Sequence, residues 1–212
     1  MRHRVKFLVF LVLVFGVPLC SYAEEMSITL PDGTQRTVES RPAYSSSNPA
    51  DSLMDAIALK DLNKVRTLVN GGVSVNSPTS SGEILLMEAL GDDKAEILDF
   101  LLDHGADVNL AGNMAGIEIT TLDVAVTGGY SNAIKKLLQK GADTEKEDIA
   151  GETPLSNAVR GGNLEIVKLL IEHGADINHK NLVGDTPLLL AEKTGKEDLV
   201  AILRKTKAAD AS

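Results

Sequence analysis

The amino-acid sequence predicts an all-α solenoid of about five stacked helix–turn–helix units with hairpin loops between them, preceded by a short N-terminal β-hairpin. Three observations carry that expectation. Residues 151–178 (GETPLSNAVRGGNLEIVKLLIEHGADIN) align without a gap on residues 82–109 (GEILLMEALGDDKAEILDFLLDHGADVN) at an offset of 69, with Ala158 over Ala89, His173 over His104 and Asn178 over Asn109. Glycines recur at a step of 33 residues, from Gly72 to Gly105, Gly141 to Gly174 and Gly151 to Gly184, with one longer step of 36 between Gly105 and Gly141. Finally, the chain is 43% hydrophobic but only 3% aromatic, with four Phe, three Tyr and no Trp. A core of Leu, Ile, Val and Ala suits packed helices better than a β-sandwich, which draws on aromatic and β-branched side chains.

Taken in order, the first segment reads as an address. A basic start, MRHRVK, precedes 13 apolar residues from Phe7 to Leu19, and then Ser21-Tyr22-Ala23 sets small residues before an expected cut after Ala23. This is the three-part pattern of a secretory signal peptide, and the apolar run is short for a membrane span of ~20 residues. Left uncut, the same segment would be an N-terminal anchor. Cys20 would suit lipid attachment if the residue before it were small, but that residue is Leu19. Cleavage removes three basic and no acidic residues, turning a formal charge of −9 into −12, and removes the single Cys. A thiol-free chain is compatible with an oxidising compartment, so the expected location is outside the cytoplasm, in a bacterial periplasm. No membrane span is expected after cleavage.

Residues 26–38 (MSITLPDGTQRTV) alternate around a Pro-Asp-Gly turn and are expected to form a short β-hairpin, followed by a Pro- and Ser-rich linker to residue 50. The repeat region then divides into units at 52–81, 82–114, 115–150, 151–183 and 184–207, with a frayed tail beyond. Thr153-Pro154 and Thr186-Pro187 supply a capping hydroxyl followed by Pro at the first helical position, where its missing N–H costs nothing. Gly162 is expected to stop the first helix of its unit and Asn163 to cap the second. Leu164, Ile166, Val167, Leu169, Leu170 and Ile171 make an apolar surface that a single unit cannot bury, so neighbours must stack. Asp148-x-x-Gly151 and Asn181-x-x-Gly184 mark turns at the hairpin tips.

A 33-residue period with T-P-L-x-x-A and an L-L-x-x-G-A-D-x-N ending resembles the ankyrin repeat, over residues 52–205 or so. The resemblance implies a protein-binding array that uses its hairpin tips and the inner faces of its first helices. It also implies a departure. Family members commonly carry His after T-P-L, joining adjacent units, whereas this chain has Met87, Asp123, Ser156 and Leu189 there, so looser stitching between units is expected.

Residues that vary between units on that side are the expected partner-binding set. In the first helices they are Met87, Glu88, Asp123, Asn157, Arg160 and Lys193. In the tips they are Met114, Ile117, Glu118, Lys146, Glu147, Asp148 and Lys180, with Thr79, Ser80 and Leu182 beside them. The three extra residues in 110–119 make the longest tip, where Leu110, Met114, Ile117 and Ile119 either pack on a neighbour or form a docking patch. No catalytic, cofactor or metal residues are expected. His104 and His173 sit two units apart at helix ends, no Ser lies in G-x-S-x-G, and the acidic charge with no basic stripe disfavours nucleic acid. The expected partner is another protein with a basic or mixed-charge surface. A scaffold or accessory factor and a dedicated inhibitor, such as an immunity protein against a secreted toxin, both remain open, with an enzyme or metal carrier as a third reading.

Overall fold

In a computed structural model of the protein, the described residues are 27–29, 35–37, 48–114 and 117–210. The expected signal segment and its cut lie outside them. Ser27–Thr29 (β1) and Gln35–Thr37 (β2) pair antiparallel, Ser27 opposite Thr37, so the N-terminal hairpin is present. The expected linker ends early. Asn48 accepts a hydrogen bond from the Ala50 N–H at 3.0 Å and Pro49 occupies the first helical position, so Asn-Pro opens helix α1, Pro49–Ala58.

The remaining elements follow the repeat: α2 (Leu62–Asn70), α3 (Leu85–Glu88), a 3-10 turn (Asp92–Lys94), α4 (Ala95–Asp103), β3 (Ala111–Met114), β4 (Ile117–Thr120), α5 (Thr121–Gly128), α6 (Ser131–Gln139), α7 (Pro154–Gly161), α8 (Leu164–Glu172), α9 (Pro187–Lys193) and α10 (Glu197–Asp210). The first helices α1, α3, α5, α7 and α9 pack in sequence, each on the next. Behind them α2 packs on α4, and α6, α8 and α10 pack in sequence. The mostly helical solenoid expected from the period is therefore what forms. Helix α10 runs to Asp210, further than the expected tail allows, because Lys207-Ala208-Ala209 is a good helix former.

Repeat arithmetic reappears as burial. Leu101, Leu137, Leu170 and Leu203, one per unit, are all buried, as are Ala89, Ala125, Ala158 and Ala191. The small Ala side chains let first helices approach closely, and each Leu removed from water contributes roughly 1.5–3 kcal/mol. The apolar core is continuous from Leu53 to Leu203.

Caps follow the sequence closely. The Thr153 and Thr186 hydroxyls accept from Ser156 N–H and Leu189 N–H, and Asn163 accepts from Ile166 N–H. Gly162 takes φ +83°, closing α7 in the left-handed region that favours glycine. Where Ile84-Leu85 replaces Thr-Pro there is no side-chain cap, and α3 is only four residues long.

Stitching between units does not depend on the missing His. The Asn76 amide donates to Gly105 O at 2.9 Å and accepts from Asp107 N–H at 2.8 Å. Asn109 repeats both bonds one unit on, to Gly141 O at 3.1 Å and from Asp143 N–H at 2.8 Å. Glu145 takes the next place and accepts from Asp176 N–H at 3.0 Å. The Asn of G-A-D-x-N is thus the rung of a ladder. Lys196 adds another tie, its ammonium donating to Val159 O at 3.1 Å and also to Arg160 O.

Candidate functional site

The fourth and fifth units are entered by the same turn. The Asp148 carboxylate accepts from Ala150 N–H at 2.8 Å and Glu152 N–H at 3.0 Å, while Gly151 N–H donates to Asp148 O at 2.9 Å. Asn181 does the same for Val183 at 3.1 Å and Asp185 at 2.8 Å, with Gly184 closing the loop at 2.9 Å. Gly151 has φ +69°, and a Cβ there would lie 3.0 Å from the Leu182 backbone nitrogen, so glycine is required on both counts. With the turn held by polar side chains beneath it, the residues at its crest face outward. Ile149 is 72% exposed, Leu182 77% and Val183 80%. Leu182 N–H donates to Ala150 O at 3.1 Å, which ties the two crests together. Leu189, at the missing-His position of α9, is also exposed.

Beside the crests sits a doubled acid–base motif. Glu152 follows the turn glycine and is buried; it accepts from Arg160 Nε at 3.1 Å, from Arg160 Nη2, and from the Asn181 amide at 3.1 Å. One unit on, Asp185 accepts from Lys193 Nζ at 2.6 and 2.7 Å through its two oxygens. Donating to the Glu152 carboxylate holds the Arg160 guanidinium even more firmly in its charged form. Burying the acids costs desolvation that their partners offset. The outcome is geometric. The carboxylates face inward, while the Arg160 and Lys193 side chains are each 55% exposed at the C-terminal ends of α7 and α9.

The residues singled out from sequence separate accordingly. Asp148, Asn157, Arg160, Lys180 and Lys193 come together on the fourth and fifth units. Asn157 reaches the Asp148 carboxylate at 3.3 Å, and Lys180 is exposed. Glu147 is exposed, 3.7 Å from His179. Lys146 meets Glu118 at 3.0 Å, tying this tip to the β3–β4 hairpin. Met87 and Glu88 belong to the second unit. Met87 is half-buried beneath Gly112, and Glu88 is held by Lys94 at 2.6 Å.

Asp123 is buried and turned inward. It completes a capping box, accepting from the Thr120 N–H at 3.0 Å and hydroxyl at 2.6 Å, because Thr120 stands where the helix begins. Its other oxygen, Oδ1, has no hydrogen-bond partner among the described residues, and burial pushes the carboxyl above the usual carboxylate range.

The longest tip behaves differently from a loose finger. Its extra residues form an antiparallel ladder, Ala111 opposite Thr120 through Met114 opposite Ile117. Leu110 and Ile119 are half-buried, and the side chains of Met114 and Ile117 lie outside the described residues. His104 Nδ1 and His173 Nδ1 lie 2.8 Å from Phe100 O and Leu169 O, the local carbonyls of their own helices.

Sequence reasoning missed Ile149, Val183, Glu152 and Asp185. The signal was available: an acid after each tip glycine and a base eight residues later, repeated at a step of 33.

The family model described as "Ankyrin repeats (3 copies)" matches residues 53–148 and again 122–212. The chain belongs to the ankyrin-repeat family. As an ankyrin-repeat protein it is a protein–protein interaction module. It is 35% identical over 104 residues to the E3 ubiquitin-protein ligase hecd-1 of Caenorhabditis elegans, a match covering 49% of this chain and 4% of that protein. It is 32% identical over 107 residues to Zygote-specific protein 3 of Chlamydomonas reinhardtii, covering 50% and 28%. A third relative is Palmitoyltransferase Hip14 of Drosophila melanogaster, 33% identical over 88 residues and covering 42% and 14%. The chain therefore spans no more than 28% of these relatives' lengths. Among the described residues, no helix of this ankyrin array is long and apolar enough to cross a membrane.

Proposed function

We propose that this ankyrin protein is an exported, non-catalytic scaffold or accessory factor that binds a partner protein through the crests and first-helix ends of its fourth and fifth units. The observation that carries this reading is the set of three outward apolar side chains, Ile149, Leu182 and Val183, on two crests joined by a backbone hydrogen bond. Contiguous exposed apolar surface of this kind marks interaction sites. The basic start, apolar run and small residues before Glu24 support export to a periplasm.

The test compares wild type with Leu182→Asp/Val183→Asp as bait in an envelope extract of the native organism. Because both side chains are exposed, stability should change by no more than ~0.5 kcal/mol each. The expected result is a stoichiometric partner retained by wild type and lost by the variant at an unchanged thermal midpoint. Equal capture by both proteins overturns the site. A protein recovered from the cytoplasm with Met1 still attached overturns export.

A further inference from the structure

The whole chain is acidic, yet the heads presented beside the apolar crests are not. Glu152 and Asp185 point inward and are buried, whereas Arg160, Lys193 and Lys180 are exposed around Ile149, Leu182, Val183 and Leu189. The two inward acids fix their bases in place through bonds from Arg160 Nε and Nη2 and from Lys193 Nζ. Arg160 still has an outward guanidinium edge, and such pre-set donors lose little side-chain freedom when they bind an anion. The opposing charge at this place is limited to Glu147, which is exposed beside His179: Glu118 is engaged by Lys146, and the Asp148 carboxylate is consumed by its own turn.

From this we infer that the face accepts an extended partner segment in which carboxylate side chains flank apolar ones, the acids meeting Arg160 and Lys193 and the apolar residues lying on the Leu182–Ile149 crest. The inference rests on the docking reading above and adds the partner's chemistry. It runs against the basic partner that net charge alone would suggest. Arg160 and Lys193 occupy the same position in adjacent units, whose first helices stack with axes roughly 10 Å apart. An extended chain covers that span in about three residues. The matching segment therefore carries acids about three positions apart with a Leu, Ile or aromatic residue nearby.

The experiment pans a displayed library of random short peptides against the full chain, then measures the Kd of the enriched peptides by fluorescence anisotropy. Enriched peptides should be acidic and apolar, and their binding should weaken as salt rises. The key variant neutralises both pairs together, Glu152→Gln/Arg160→Gln and Asp185→Asn/Lys193→Gln. It removes two acids and two bases, leaving net charge unchanged while stripping the exposed cations. Affinity should fall ~10-fold or more. If that variant does not fold, Lys180→Gln on the exposed tip should still weaken binding ~2-fold and flatten the salt dependence.

Basic or uncharged enriched peptides, or affinity indifferent to the neutral pairs, overturn the partner chemistry while Leu182→Asp still tests the docking face separately. No enrichment at all also overturns the partner chemistry, and the extract capture then decides the docking reading alone. A concentration-dependent dimer broken by Leu182→Asp would place a second copy on the crest and overturn it as well.

Discussion

The second and fourth units share one 28-residue alignment and present opposite exteriors. Their inward positions agree: Leu86 and Leu155 are both buried, as are Ala89 and Ala158. Their outward positions do not. Where the turn leading into the fourth unit has Ile149-Ala150 at its crest, the turn into the second has Ser80-Ser81, with Ser80 bonded through its N–H and hydroxyl to Asp51 at 2.7 Å each. Arg160 aligns with Gly91, so Glu83 finds the hydroxyl of Ser81 at 2.7 Å instead of a base. Thr153-Pro154 aligns with Ile84-Leu85, and the loss of the cap accompanies shortening from eight helical residues to four. Ile84 does other work: its Cγ1 would lie 3.1 Å from a Cβ at Gly112, so it floors the β3–β4 hairpin. One framework therefore supports a tip tied to its neighbour by hydrogen bonds and a crest of exposed apolar side chains.

The largest expected effect tests whether the framework is equal in both. Leu155→Ala and Leu86→Ala each truncate a buried side chain at the same repeat position. Each should cost ~2–5 kcal/mol, measured by urea unfolding. Similar losses would show that the uncapped second unit is packed as tightly as the fourth. A much smaller loss at Leu86 would mean that the short α3 yields around the cavity, and the comparison would then extend to the core.

A middle-sized effect separates the units at their stitches. Asn76 makes two bonds to the second unit, whereas Glu145 makes one to the fourth, since a carboxylate has no N–H to offer Gly174 O. Asn76→Ala should destabilise by ~1–3 kcal/mol, and Glu145→Asn should stabilise by ~0.5–1 kcal/mol if the shorter amide reaches both groups. Thermal melts of the two variants check the pair. Were Glu145→Asn to lower the midpoint, the extra reach of Glu would be what spans that junction.

The same contrast explains what was legible in the sequence. Period, caps and turn glycines are properties of single residues whose backbone demands are local, so Thr153-Pro154, Gly162 and Asn181-x-x-Gly184 could be placed without coordinates. The crest was half visible, because Leu182 varies between units, but the weight fell on 110–119, where hydrophobes coincide with an insertion. An insertion alone does not reveal that its residues pair with each other. Leu110, just before the β3–β4 ladder, is half-buried against the core, and Ile119, opposite Gly112 within it, is half-buried too. Asp123 looked like a surface variable because it stands one residue after the Leu of the helix start. Only the hydrogen bonds of Thr120, a neighbour in sequence, show that it faces inward.

The smallest effect concerns that position, filled by Met87, Asp123 and Ser156 in successive units. Asp123 is the ionisable one, and burial raises its carboxyl against the opposing hydrogen bonds from Thr120. A raised folded-state value reverses the usual carboxylate sign. Between the ordinary value of about 3.9 and the raised one, the folded chain holds a proton that the unfolded chain has lost. Stability from this site is therefore fullest below that window, falls as pH rises through it, and stays reduced above. Asp123→Asn removes the titration and keeps an oxygen for the Thr120 N–H and hydroxyl. The unfolding free energy of the variant relative to wild type should accordingly increase from about pH 3.5 to pH 7, across the window set by the ordinary carboxylate value. Urea unfolding at a series of pH values measures it. A difference that stays constant over that range would show that Asp123 titrates alike in both states, and its burial would then set no distinction between this unit and its neighbours.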